Sequence, residues 1–367
     1  MSRIEELIKE KCPNGVGYRT LDKVCKINKG KQLNKDGLLS DGLYPVINGG
    51  ITPSGYWNEY NYNENLITIS QGGASAGYVA YQLTKFWAGA HCYVIENCEG
   101  DIVYRYLYHF LKNKEKDLQS TQVGAGIPSV SLKEIYGLKI PVPPIEVQEE
   151  IVKVLDKFGE LEAELEAELE ARKSQYEFWR GKVFDNENYI KLSELAEIGT
   201  GSSNTNQALD SGNYPFYTRS QEIYFMNEYE YDDESIITAG DGAVGKSIHY
   251  ICGKYALHQR AYRICPNKKV LLPKYLYYYM KETFYNYIIG TAVSSSVPSI
   301  RRKMLDNYEI PVPSLEEQQR IVNILDKFDK LVNDLSEGLP AEIEARRKQY
   351  EYYRNKLLSF EEVEVNE

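Results

Sequence analysis

Apolar residues recur at three- and four-residue spacing in two long stretches of the chain. One runs Ile151, Val154, Leu155, Phe158, Leu161, Leu165 and Leu169; the other runs Ile321, Ile324, Leu325, Phe328, Leu331, Val332 and Leu335. That spacing draws a single apolar stripe along an otherwise charged helix. Prolines precede the first helix at Pro143-Pro144, where the opening turn has no hydrogen bond to lose. The first helix is expected to continue to about Phe184 through ELEA written three times, Glu160–Ala171. The second is expected to break at Gly338-Leu339-Pro340 and restart as PAEIEARRKQYEYYRNKLL. Elsewhere, β-type runs such as Leu66–Ser70 and Glu234–Thr238 lie between Gly, Asn and Pro. Short helices are expected at Val103–Asn113 and Leu272–Thr283. Strands and helices do not alternate regularly, so each globular part reads as an α+β domain with a curved or barrel-like sheet.

The two stretches are copies of one another. IPVPPIEVQEEIVKVLDKF, Ile140–Phe158, returns as IPVPSLEEQQRIVNILDKF, Ile310–Phe328. The globular parts repeat too: ITISQGGAS at Ile67 answers ITAGDGAVG at Ile237, and YLYHFL at Tyr106 answers YLYYYM at Tyr275. The chain therefore holds two copies of one domain plus helix. The expected boundaries are 1–139 for the first domain, 140–184 for the central helix, 185–309 for the second domain, 310–360 for the C-terminal helix and 361–367 for an acidic tail. A charged helix with one apolar stripe needs a partner, and its duplicate is the nearest candidate. An antiparallel pair would carry one domain at each end of a rod of about 60 Å, roughly 40 residues at about 1.5 Å each.

Charge sharpens this picture. The net charge is −10, yet 11 acidic against 6 basic residues fall in Pro144–Phe184 and 13 against 8 fall in Ser314–Glu367. The remainder is balanced at 29 of each sign, so the globular parts can still turn basic loops toward phosphates. The 32 tyrosines suit a core or a partly wet recognition surface. No apolar run is long enough to span a membrane, and the N-terminal segment lacks a secretory apolar core. Cys12, Cys25, Cys92, Cys98, Cys252 and Cys265 form no CxxC pair and read as reduced thiols.

Catalytic signals are weak. Gly240–Ser247, GDGAVGKS, matches the phosphate-loop pattern GxxxxGK[ST], but the residues that follow, Ile248-His249-Tyr250-Ile251, read as strand where that loop requires a helix. The duplicate loop, Ser70–Gly77, has no lysine. His91, His109, His249 and His258 have no metal-ligand spacing. No tetrapeptide of the NPPY or DPPY base-methylation type occurs, and no nuclease-type carboxylate–lysine cluster is visible. Three function classes remain open: a DNA-reading subunit, a coiled-coil scaffold with two protein-binding domains and no DNA role, and a nucleotide hydrolase using Gly240–Ser247.

The duplicated IPVPP…EQ..IV..LDKF helices, the opening CPNGVGYRTLDKV and the ending LPAEIEARRKQYEYYRNKLLSF closely resemble the specificity subunit of type I restriction–modification enzymes. The likeness extends over essentially the whole chain. It implies an α+β fold in which two duplicated α/β target recognition domains are joined by two long helices forming an antiparallel coiled coil. It implies that each domain reads one half of a split, asymmetric double-stranded DNA target and that the coil sets the gap. It further implies a non-catalytic, cytoplasmic prokaryotic subunit that carries two methyltransferase subunits and recruits restriction endonuclease–translocase subunits. S-adenosylmethionine, ATP and magnesium would belong to those partners, and no metal or cofactor to this chain. Base edges are read by polar loop side chains. The candidates in the first domain are Lys29, Lys31, Gln32, Asn34, Asn48, Gln71, Ser75, Thr121 and Gln122. Those in the second are Thr200, Ser202, Asn204, Arg219, Ser220, Gln221, Asp241, Lys246, Thr291, Ser294 and Ser296. Coiled-coil packing is assigned to Ile151, Leu155, Phe158, Leu161, Leu165 and Leu169, and to Ile321, Leu325, Phe328 and Leu335.

Overall fold

A computed structural model of the chain describes residues 3–34, 38–120, 128–184, 188–291 and 299–363. The chain divides into two compact units, one of residues 1–165 with 343–367, the other of residues 166–342.

In the first unit, an antiparallel sheet has the order Cys25–Lys29, Cys92–Cys98, Leu66–Ser70, Val79–Gln82. Strand alternation splits its side chains between two cores. Tyr93 and Ile95 face the larger core with Tyr106, Leu107 and Phe110 of the helix Tyr104–Asn113. Cys92 and Val94 face a smaller core with Phe86 and Ala88. A three-stranded sheet, Tyr56–Trp57, Tyr44–Ile47 and Trp87–Ala88, lies on that second side. The pair Tyr18–Thr20 with Lys139–Pro141 leads the chain into the helix Ile145–Lys182.

The second unit carries a six-stranded sheet in the order Ala196–Thr200, Ala261–Pro266, Tyr231–Ala239, Ile248–Leu257, Tyr214–Tyr217, Ile223–Met226. The order has two ends, so the sheet is open. The helix Pro273–Thr291 buries Tyr275, Leu276, Met280 and Phe284 in this unit's core.

Each long helix starts as part of its own domain. Val147, Ile151 and Leu155 are fully buried in the core of the first unit; Ile321, Val322 and Leu325 are buried in that of the second. A fully buried glutamine locks each start. Gln148 Oε1 accepts from Val103 N at 2.8 Å, and its Nε2 donates to the carbonyls of Asp101 and Pro143, both at 2.8 Å. Gln318 repeats this with Leu272 N at 2.8 Å and the carbonyls of Val270 and Pro313 at 2.9 Å. Tyr106 and Tyr275 donate to the carbonyls of Pro141 and Pro311 at 3.1 and 3.0 Å.

Beyond these starts the helices pair. In the first unit Phe158 stacks on Tyr353 at 5.4 Å and lies 6.2 Å from Tyr350, while Glu162 accepts from Arg347 at 2.6 Å. One index rises as the other falls, so the helices run antiparallel. In the second unit Tyr176 stacks on Phe328 at 6.0 Å. Leu161, Leu165 and Leu169 are half-buried.

Leu335 corrects the sequence reading. It is 82% exposed and sits in a turn, not in a helix seam. The helix Leu315–Asn333 stops because Asp334 Oδ1 accepts from the backbone N–H of Ser336 at 2.7 Å and of Glu337 at 3.2 Å. A side chain that binds the backbone ahead of it competes with the helical ladder. The next helix, Leu339–Leu357, takes Pro340 in its first turn. The break therefore starts at Asp334, ahead of the Gly338-Leu339-Pro340 expected. No helix among the described residues is long and apolar enough to cross a membrane.

Candidate nucleic-acid interface

Strand register gathers distant polar residues at one end of each sheet. In the first unit Lys29 is opposite Tyr93, Ser70 is opposite Cys92, and Ile47 is opposite Ala88. The residues that continue those strands, Lys29, Asn48, Gln71 and His91, therefore meet. They line a cleft of about 580 Å³ with Gly49, Gly72, Gly73, Pro128 and Ser129.

Backbone bonds fix this cleft. Gln71 N donates to His91 O at 2.8 Å, Val130 N donates to Gln71 O at 2.8 Å, and Asn48 Oδ1 accepts from His91 N at 3.0 Å. Gly73 holds φ +84° and donates to Pro128 O at 2.9 Å. Gly30 is required by close approach, because a Cβ there would lie 2.2 Å from the carbonyl of Gly89. Lys31, Gln32 and Asn34 follow on an exposed segment, where Lys31 N donates to Ala88 O at 2.8 Å. Ser75 is half-buried in the loop that continues past Gly73, and Tyr78 N donates to its carbonyl at 3.0 Å.

The second unit repeats the frame with other side chains. Gly240 occupies the place of Gln71, since its N–H donates to Arg260 O as that of Gln71 does to His91 O, and Asp241 occupies the place of Gly72, its bridge to Ser299 answering the bridge from Gly72 to Ser129. Asp241 Oδ2 accepts from Arg260 at 3.0 Å and Oδ1 from Arg219 at 3.4 Å. Ser220 O accepts from Ser247 Oγ at 2.8 Å, and Gln221 Nε2 reaches Lys246 O at 3.4 Å, so this turn leans on the Gly240–Ser247 loop. Thr200 ends its strand exposed, Ser202 N donates to Glu230 at 3.2 Å, and Asn204 Oδ1 accepts from Gln259 at 2.5 Å. Thr291 closes its own helix instead, with Oγ1 donating to Tyr287 O at 2.9 Å. Arg302 is engaged by Asp306 at 2.7 Å and Ile198 O at 2.6 Å, a structural task. Thr121, Gln122, Ser294 and Ser296 lie outside the described residues.

The phosphate-loop match has the wrong context. Gly240–Ser247 runs into the strand Ile248–Leu257, with no helix N-terminus behind it. Gly242 and Gly245 hold φ +74° and +69°. The Lys246 ammonium lies 5.6 Å from the Tyr285 ring and is otherwise exposed.

Burial sets the histidine charges. It depresses His109, His249 and His258 below the ordinary imidazole range. His258 Nδ1 accepts from Arg260 N at 3.0 Å, a bond that needs the neutral ring. Burial would raise the Asp156 carboxyl, but hydrogen bonds from His109 at 2.8 Å and Arg105 at 2.9 Å hold it low.

The sequence reading missed His91 and Arg260. A signal was present: superposing AHCYVI on QRAYRI, the copies ending at Ile95 and Ile264, places His91 against Arg260.

Residues 13–171 and 185–345 each match the model of the type I restriction modification DNA specificity domain. A Haemophilus influenzae chain bearing the name of a type I restriction enzyme specificity subunit is 31% identical over 376 residues, covering 94% of this chain and 96% of that one. The specificity subunit of an Escherichia coli type I restriction enzyme is 34% identical over 261 residues, covering 62% of this chain and 64% of that one. Among solved structures, the S subunit of a type I restriction–modification system from M. genitalium superposes with TM-score 0.64 at 19% identity, over 94% of this chain and 97% of that one. The HsdS subunit of Thermoanaerobacter tengcongensis gives TM-score 0.53 at 16% identity, over 95% and 97%. The chain belongs to the type I restriction–modification DNA specificity family.

Proposed function

We propose that each unit reads one half of a bipartite, asymmetric double-stranded DNA target. The chain brings to that target two methyltransferase subunits and the endonuclease–translocase subunits of a type I system. The observation that carries this reading is the pair of matching loop frames with unlike side chains. One frame presents Lys29, Asn48, Gln71 and His91; the other presents Thr200, Arg219, Asp241 and Arg260. Amide, ammonium and guanidinium groups are the donors and acceptors that read base edges, and exposed lysines supply phosphate contacts that fix register.

On this reading the chain performs no chemistry. S-adenosylmethionine, ATP and magnesium act on the partner subunits. The ELEA segment of the helix Ile145–Lys182 sets the number of unread base pairs, since each tetrapeptide adds about 6 Å, close to two base-pair steps. A gel-shift assay of the chain with its methyltransferase tests the reading. Binding should depend on sequence and fall steeply with salt. Failure to prefer any duplex would leave the chain a protein scaffold.

A further inference from the structure

We propose that Arg260 reads a guanine in the half-site taken by the second unit, with Asp241 as its positioning residue. This inference rests on the DNA-specificity reading above.

Arg260 stands in the turn between the strands Ile248–Leu257 and Ala261–Pro266. Its backbone is held on both sides: N donates to His258 Nδ1 at 3.0 Å, and O accepts from Gly240 N at 2.8 Å. Gly240 is needed for that approach, because a Cβ there would lie 2.5 Å from Arg260 O. The side chain is aimed as well. Nη1 donates to Asp241 Oδ2 at 3.0 Å, yet the side chain stays 62% exposed.

This arrangement changes the role first given to Asp241. A carboxylate that already accepts from Arg260 and Arg219 is poorly placed to accept from a cytosine amino group. It can instead hold a guanidinium fork in one orientation. A phosphate offers oxygens on several sides and can take the fork in several orientations, so its contact does not depend on that one. Two parallel hydrogen bonds to guanine O6 and N7 do need it, and Arg is the side chain whose geometry makes them. Two guanidiniums around one carboxylate also leave the cluster net positive, which favours its approach to the phosphate-lined groove.

The first unit lacks this device. Gly72 takes the place of Asp241 and His91 the place of Arg260, so among the described residues no buttressed guanidinium faces its cleft. The guanine is therefore a feature of one half-site alone.

The test uses the full chain with its methyltransferase and duplexes varied one base pair at a time, at one salt concentration. The wild type should prefer guanine at one position of one half-site by about 5- to 150-fold, the range of a good bidentate contact. Arg260→Ala should erase that preference and leave the other half-site and the gap unchanged. Asp241→Ala should weaken it at the same position. Arg260→Lys keeps the charge without the fork, so affinity for duplexes lacking that guanine should hold while discrimination falls. A preference that survives in Arg260→Lys, or an Arg260→Ala loss spread evenly over all duplexes, overturns the proposal. A wild-type complex with no preference for any duplex refutes the specificity reading itself, a separate outcome.

Discussion

The side-chain oxygen of Gln148 accepts the backbone N–H of Val103 at 2.8 Å inside a fully buried site. That bond ties the first turns of the long helix to the start of the helix Tyr104–Asn113. With the two carbonyls held by Nε2, one side chain satisfies three main-chain groups. Gln148→Leu fills the volume but strands all three. It should lower stability by about 2–4 kcal/mol, read as a shifted urea midpoint. Gln318→Leu should behave alike, because its three bonds are the same.

Phe158 and Leu335 both lie on the sequence stripe but have different surroundings. Phe158→Ala removes the contacts with Tyr350 and Tyr353 and should cost about 2–3 kcal/mol. Leu335→Ser, at an exposed turn, should change stability by no more than about 0.5 kcal/mol. Thermal melts of the two variants check the contrast.

Mild acid should destabilise the fold. Burial lowers His109, His249 and His258 below the ordinary imidazole value of about 6.5, so the unfolded chain binds protons that the folded chain refuses. Their contribution is complete above pH 6.5 and is lost as pH falls below it. Asp156 and Asp233, whose half-buried carboxyls are held low by hydrogen bonds, add a further loss as pH falls below the ordinary carboxylate range. The melting temperature should be lower at pH 5.5 than at pH 7.5. An equal value would contradict the burial of the three rings.

On the proposed reading Lys246 supplies charge and not catalysis. Lys246→Ala in the complex should weaken DNA binding evenly across sequences and reduce the salt slope by about 1. Partner ATPase activity at saturating DNA should not change. Binding isotherms at several salt concentrations measure the first effect.

Long-range order in the fold was legible where the pattern is local or repeated. The helix Tyr104–Asn113, the strand Leu66–Ser70 and the stripe leading to Phe158 follow from spacing and from duplication. The helix Pro273–Thr291 runs past the expected Thr283 because Phe284 and Ile288 extend its buried face. Leu335 kept the stripe's spacing, but the Asp334 side chain ended the helix ahead of it. The clefts were only half legible. Lys29, Asn48 and Gln71 were nominated as polar loop residues, yet nothing local says that they meet. Strand register brings them to His91, and a salt bridge ties Asp241 to Arg260.

The central claim is that two unlike units read two half-sites across a gap tied to helix length. Genome-wide mapping of methylated bases tests it most directly, in cells carrying the methyltransferase with either the intact chain or the chain lacking Glu164–Ala167. The deletion removes one ELEA, shortening the helix by about 6 Å and turning it by about 40°. The predicted result is a gapped, asymmetric motif for the intact chain, and the same two half-sites with a different gap for the deletion. A continuous palindrome, or a deletion that alters a half-site and leaves the gap unchanged, would contradict the claim.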